Sequence, residues 1–390
     1  MASVTSVNLL ALATSAPYVN QIQAIRNAST DHLSLLSYNS AFIDSILPQN
    51  VSITLVSNES PFNAFHEGGI YQHSTNSIYI SSNYGTSNLP PRISVYDLST
   101  GQIRNATFPN LAAANGGTTY IPPNQLHNTT YPPYMLWCDE GSLTTPSQLL
   151  AIDPSTNTSF PLLTSFLGKP FASLNDARQH PLTGDIWFTD AYYGWYQAFR
   201  PEPVVPPQVY RFEPLTGVVQ AVATDFDQSN GLEFSPDLRT LYVTDTGAQH
   251  WSANETRSAT IYAFDVVGGK RLANRRVFAY SDFGFPDGIH CDTLGNVWSS
   301  MGDGVHVWNE DGVLIGKVVV GGGSNNVAFL PGAVLVFNNQ KLWKVDVLVE
   351  GRELARDFGL RGGSAGLVRG GTFGSGKNYG GGGGGGGGRW

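Results

Sequence analysis

Charge is scarce in this sequence. Asp, Glu, Lys and Arg make up 13% of its 390 residues, against roughly 25% in an average globular protein, which points to an extracellular-type surface of Ser, Thr, Asn and Gly. The net charge of −8 comes without a basic run, so nucleic acid and anionic membrane surfaces are poor partners, and a cation or neutral small molecule fits better. Nothing approaches the run of about 18 apolar residues that a membrane-spanning helix needs. With only Cys138 and Cys291, a disulfide framework is excluded and metal-site spacing is missing. One bridge or two buried thiols both stay open. Helical periodicity is almost absent.

At the amino terminus, the short apolar run Val7 to Ala13 followed by Ala16-Pro17 has the outline of a signal peptide without its positive n-region. Seven Asn-x-Ser/Thr sequons, at Asn27, Asn50, Asn58, Asn105, Asn128, Asn157 and Asn254, fall in polar, loop-like stretches and favour a secreted glycoprotein. The alternatives are a cytoplasmic protein and chance sequons in Asn- and Ser-rich loops.

What the chain does have is a repeat. Short strand patterns follow turns around Tyr79, Trp187, Tyr242 and Trp298, separated by 108, 55 and 56 residues. Met135-Leu136-Trp137 lies near the middle of the double-length gap, and Ala333 to Phe337 supplies a sixth unit. Each unit adds further strands, such as Ile93 to Tyr96, Gln208 to Arg211, Thr260 to Phe264 and Gly304 to Trp308. A period near 50 with several strands per unit is the pattern of a propeller, an all-β ring that hides its sheet edges. A β-sandwich gives no reason for such a period. The expected organisation is a lead-in over residues 1–48, a six-bladed β-propeller with a central metal site over 49–350, and a Gly-rich tail over 351–390 that cannot offset its backbone entropy. Val51 to Val56 is placed to close the ring with the last blade.

Counting back from each anchor aromatic finds the chemistry. Glu67, Asn175 and Asn230 each precede their anchor by 12 residues, and Asp287 by 11. The first strand of a propeller blade lines the central channel, so these four oxygen-bearing side chains should converge. Two carboxylates and two amide oxygens suit calcium or magnesium and match zinc poorly, and four protein oxygens leave positions open for water and substrate. Turn chemistry explains Asn230-Gly231 and Asp287-Gly288 singly, but not Glu67 and Asn175 at the same offset.

Several strings also carry a resemblance. Leu174-Asn175-Asp176, Asn230-Gly231-Leu232-Glu233-Phe234-Ser235-Pro236-Asp237 and Pro286-Asp287-Gly288 resemble the gluconolactonase and regucalcin superfamily of calcium-dependent propeller hydrolases. Phe65-His66-Glu67, Asn115-Gly116-Gly117-Thr118, the stretch from Tyr193-Gly194 through Phe199-Arg200-Pro201 to Tyr210-Arg211, and Gly302 to Asn309 resemble the fungal lactonohydrolases more closely still. The resemblance covers roughly residues 60–345.

It implies a lactonase, a carboxylic ester hydrolase that opens an aldonate, pantoyl or secondary-metabolite lactone. One catalytic Ca2+ would sit on Glu67, Asn175, Asn230 and Asp287, with room for a second, structural ion. Asp287 would act as base or water-positioning group, with direct nucleophile and plain ligand as its other roles. Asn115, Glu140, Tyr193 and His66 are candidate substrate contacts. Asp176, on a strand next to Asn175, is expected to point away and orient its neighbours. His290 and His306 are expected to be structural, Arg200 to pair with an acidic neighbour or face substrate, and Asn326 to complete the channel lining. The sequence departs from the fungal pattern in an insertion between Gly117 and Met135, expected beside the pocket mouth. Competing readings are a phosphotriesterase of the same fold, a non-enzymatic binding scaffold and a strictosidine-synthase-like propeller without a metal site. The partner expected is a small-molecule lactone.

Overall fold

The computed structural model describes residues 3–29, 31–83, 91–126, 128, 131–250 and 252–354. The anchor aromatics Tyr79, Trp137, Trp187, Tyr242 and Trp298 are all buried, each on the second strand of an antiparallel blade. They lock neighbouring blades together. The Trp187 ring meets Phe234 of the next blade edge-on at 5.7 Å, and Trp298 meets Phe329 likewise at 5.4 Å. Gly68, with φ of +81°, lies where a Cβ would approach the Trp137 ring to 2.7 Å, so both its conformation and its space demand glycine.

Six blades form the propeller, five of them four-stranded sheets and one extended to six strands. Their first, channel-lining strands are Glu67–Gln72, Ala114–Tyr120, Leu174–Gln179, Ser229–Phe234, Ile289–Cys291 and Asn326–Leu330, which define blades 1 to 6. The ring closes as its sequence suggested: Ile53–Asn58 pairs antiparallel with Lys341–Asp346 as the outer strand of blade 6. Blade 4 carries a small extra hairpin, Gln249–His250 with Ser252–Ala253.

The lead-in is built into the ring. Ser34–Ser37 pairs with Leu314–Val319 at the outer edge of blade 5, and Val4–Ser6 pairs parallel with Ser34–Ser37. The intervening helices Leu9–Thr14 and Ala16–Ala28 dock through Arg26, whose Nε lies 2.9 Å from the Asp303 carboxylate. Asp303 and His306, from the Gly302-to-Asn309 string, thus serve this anchor; His306 Nε2 lies 2.6 Å from Asp303 Oδ1. Of the expected tail, Gly351–Leu354 packs under the channel, as Gly351 bridges Asp292. The rest of the expected tail, residues 355–390 with the run Gly380 to Gly388, lies outside the described residues.

Cys138 and Cys291 are free and buried in separate apolar clusters, so the bridge between them does not form.

Candidate metal centre

Two repeated devices fix the upper ends of the channel strands. In blades 2, 3 and 4 an aspartate ending the second strand, Asp139, Asp190 or Asp245, accepts backbone N–H groups from the segment entering the first strand, as in Ala113 N to Asp139 at 2.8 Å and Ser173 N to Asp190 at 2.7 Å. A hydroxyl one residue earlier, or its blade 1 counterpart, reaches the backbone carbonyl of the next blade's channel residue: Ser81 to Asn115 at 2.9 Å, Thr189 to Asn230 at 2.6 Å and Thr244 to Asp287 at 2.8 Å. Asn230 therefore hangs from backbone tied on both sides, and Asn175 and Asp287 from backbone tied on one.

In blades 1 to 4 the pairing register breaks at the same place, between Gly68 and Ile70, Ala114 and Gly117, Leu174 and Ala177, and Ser229 and Leu232. Bulges of this kind re-aim side chains next to functional sites. The glycines beside the donors are there for close approach. A Cβ on Gly231 would lie 2.7 Å from the Asp287 carbonyl and one on Gly288 would lie 2.1 Å from Asn326 Oδ1, while neither residue has a left-handed backbone. The turn reading of Asn230-Gly231 and Asp287-Gly288 fails on both counts.

Glu67, Asn175, Asn230 and Asp287 are all buried. Asn230 Nδ2 donates to Asp287 Oδ1 at 2.7 Å, Asn325 Nδ2 to Asp287 Oδ2 at 3.3 Å and Asn326 Nδ2 to Glu67 Oε2 at 2.7 Å. Asn326 thus lines the channel as expected. Burial and the facing Asp287 charge push the Glu67 carboxyl well above the usual range, and burial lifts Asp287 to about 6. Asn175 Oδ1 is buried without a hydrogen-bond partner. Two carboxylates confined together fit a hard divalent cation, which would neutralise the pair, and the unpartnered amide oxygen of Asn175, at the equivalent position of blade 3, is available as a further ligand.

The surrounding residues divide. Tyr193, on the short helix Tyr193–Tyr196 in the loop between the second and third strands of blade 3, accepts from Asn230 Nδ2 at 3.2 Å, so it reaches the centre. Asn115 contacts Glu140, and Ser173 Oγ donates to Glu140 Oε1 at 2.8 Å. His66 Nδ1 lies 2.8 Å from Asn339 Oδ1, and burial depresses its basicity. Asp176 does not follow simple strand alternation, because the bulge falls on it; its Oδ1 accepts from Arg178 Nη1 at 2.8 Å and its charge helps raise Glu67. Arg200 is structural: its guanidinium donates to the carbonyls of Phe171, Ala172, Ser142 and Thr145, and it forms no salt bridge among the described residues.

The insertion is not at the pocket mouth. It joins the end of the first strand of blade 2, Tyr120, to the start of the second, Tyr134, at the opposite end of the blade from Asn115. Ile121 N bonds Gln179 at the far end of the blade 3 channel strand.

At that far end, Glu233, His290 and Glu353 bring ligand atoms within 4.8 Å of one another. Arg178 and Arg352 already engage these carboxylates, so the cluster is a neutralised ion-pair network and a poor place for the second ion. Sequence reasoning missed this network and Asn325; the neighbouring Asn326 was the only signal for the latter.

Burial lifts Glu140 to about 7. The folded protein therefore holds this proton more tightly than the unfolded chain, so the stability contribution is complete below about pH 4.5 and is lost as pH rises toward 7. Glu140→Gln removes that loss. It is expected to match the parent near pH 4.5 and exceed it by up to roughly 3 kcal/mol at pH 8, as read by denaturant unfolding at the two pH values.

Residues 92–335 match the SMP-30/Gluconolactonase/LRE-like region. Lactonohydrolase oryL of Aspergillus oryzae is 36% identical over 197 residues, which cover 46% of this chain and 45% of that protein; the chain spans about half the length of this curated relative. A gluconolactonase structure from Xanthomonas campestris superposes with a TM-score of 0.63 at 26% identity, covering 80% of this chain and 94% of that one. A calcium-binding protein, regucalcin, from Agrobacterium tumefaciens shares the fold, with a TM-score of 0.55 at 19% identity over 76% of this chain and 94% of its own. The family match covers more than half of the sequence, and the six-bladed ring agrees with it: the chain belongs to the SMP-30/gluconolactonase/LRE-like family.

Proposed function

We propose that this protein is a calcium-dependent lactonase whose centre is Glu67, Asn175, Asn230 and Asp287. The observation that carries the proposal is the Glu67–Asp287 carboxylate pair, with an unpartnered Asn175 Oδ1 at the equivalent position of blade 3, in a chain whose relatives include a lactonohydrolase and a gluconolactonase. Calcium bound there would polarise the lactone carbonyl and stabilise the charge that develops on its oxygen. Asp287, tethered through both carboxylate oxygens by Asn230 and Asn325, holds the attacking water and takes its proton. Tyr193 covers the Asn230 side of the site. Glu140 and Asn115 form a polar pair suited to a hydroxyl on a sugar-acid lactone.

Turnover of a panel of aldonolactones, a pantoyl-type lactone and a macrolactone tests the reading against the same-fold phosphotriesterase. At least one lactone is expected to be hydrolysed faster than an organophosphate ester. Organophosphate turnover with no lactone turnover reverses the assignment, and no turnover of either favours a binding scaffold.

We also propose that the chain passes through the secretory pathway. All seven sequon asparagines are exposed, on outer strands, turns and the amino-terminal segment. After expression in a eukaryotic host, the secreted product is expected to lose mass on peptide-N-glycosidase treatment; retention inside the cell with no mass change rejects the proposal.

A further inference from the structure

Blade 6 ends and the chain crosses beneath the channel. Thr293 N donates to the Glu350 carbonyl at 2.9 Å, Gly351 bridges Asp292 of blade 5, and Gly351–Leu354 runs along a cavity lined also by Gly69, Thr118, Glu233 and Phe329. A Cβ on Gly351 would lie 2.6 Å from Phe329, so the strap lies flat against the ring. Its two charged side chains turn inward. Arg352 is buried, with Nε donating to Glu233 Oε1 at 2.9 Å. Glu353 Oε1 accepts from Thr118 Oγ1 at 2.7 Å and lies 3.8 Å from Arg178 Nε.

Arg178 is the hub above this strap. It is 1% exposed and touches four blades: Gly117 O of blade 2 at 3.2 Å, Asp176 Oδ1 of its own blade 3 at 2.8 Å, Glu233 Oε2 of blade 4 at 3.2 Å and Ile289 O of blade 5 at 3.4 Å. Three carboxylates, Asp176, Glu233 and Glu353, share this one guanidinium. Arg352 balances that arrangement by taking the other oxygen of Glu233. Without it, Glu233 would be a buried carboxylate whose one remaining guanidinium partner is Arg178, helped only by the Phe234 N–H on Oε1 and by His290 Nδ1 3.5 Å from Oε2, and the guanidinium would be drawn down the channel, away from Asp176.

We infer that Gly351–Leu354 closes the far end of the channel and that Arg352 is a positioning residue, acting through Glu233 and Arg178 to hold Asp176 beside the donor cluster. What Asp176 is held for rests on the lactonase reading; that Arg352 holds it does not. The strap also leaves the opposite face as the route to the site.

The backbone provides a reporter independent of activity. Ala177 N–H donates to Asp176 Oδ1 at 2.8 Å, so its hydrogen exchange follows the position of that carboxylate. In the full-length protein, Arg352→Gln is expected to speed exchange in a peptide spanning 174–178 at least about tenfold. On a Glu233→Gln background the same substitution is expected to change nothing further there, because the charge it balances is gone. Arg352→Lys keeps the charge but loses the directed donors of the guanidinium, and is expected to fall between, which serves should Arg352→Gln fail to fold. Exchange that rises only in 289–293 and 350–354, with 174–178 as in the parent for either variant, overturns the inference and leaves the strap a local anchor. An equal effect of Arg352→Gln with and without Glu233 overturns the proposed path.

Discussion

Chelating divalent cations is expected to lower the thermal midpoint of this protein and abolish lactone turnover, and added calcium is expected to restore both. The reason is local. Glu67 and Asp287 face each other in a buried channel, where burial raises the cost of ionising both and the Asp287 charge adds to the cost for Glu67, and the Asn175 amide oxygen has no partner. A cation that binds only the folded state stabilises it by about 2.7 kcal/mol at a hundredfold excess over its dissociation constant. For a domain of this size that is a shift of roughly 5 °C. Glu67→Gln separates this site from the far-end cluster. It removes the carboxylate conflict, so the chelated variant is expected to melt higher than the chelated parent, while the calcium-dependent rise disappears. If calcium still raises the midpoint of Glu67→Gln as much as that of the parent, the ion sits elsewhere, and the Glu233, His290 and Glu353 group becomes the place to look. Indifference of both midpoint and activity to chelation would refute the metal centre.

The ring was legible, and with it the meeting of Glu67, Asn230 and Asp287, because a propeller converts sequence offset into spatial position. One residue per blade at a constant distance from a buried aromatic must arrive at the axis, whatever lies between. Ile53–Asn58 was legible as the closing strand for a related reason, since a ring must pair its ends. The failures lie where the repeat gives no guidance. Asp176 was read by strict alternation, and a bulge at Leu174 to Ala177 suspends alternation at that point. The Gly117-to-Met135 insertion was expected beside the pocket mouth. Strand polarity decides otherwise: the connection leaves from the end of Ala114–Tyr120, and that strand carries it across the full thickness of the blade. The pocket-face loops are those that follow second strands, and among the described residues the one carrying Tyr193 reaches a donor. Arg352 lies in a stretch whose composition announced a glycine tail, and nothing local marks it as the partner of a glutamate 119 residues earlier.

Asp287→Asn is expected to leave a folded protein with at least about a thousandfold less turnover, the upper range for losing a general base. The fold should survive because the substitution is nearly isosteric. The Asn oxygen can still accept from Asn230 Nδ2, which now donates to Asp287 Oδ1 at 2.7 Å, and only the 3.3 Å bond from Asn325 must be given up. Thermal scans with and without calcium then divide the roles of this carboxylate. A variant that is inactive yet keeps the calcium-dependent rise has lost a base or nucleophile; one that loses both has lost a ligand. Turnover within about tenfold of the parent would exclude either catalytic role. Single-turnover hydrolysis by the parent enzyme in 18O-labelled water separates the remaining two. If Asp287 activates water, the first product molecule carries the label in its new carboxylate. If Asp287 attacks the carbonyl itself, the first product takes its oxygen from the protein, and the label appears in the Asp287 side chain. The two-sided tether of Asp287 favours the first outcome, because a carboxylate held through both oxygens is suited to orienting a water and poorly placed to swing into covalent attack.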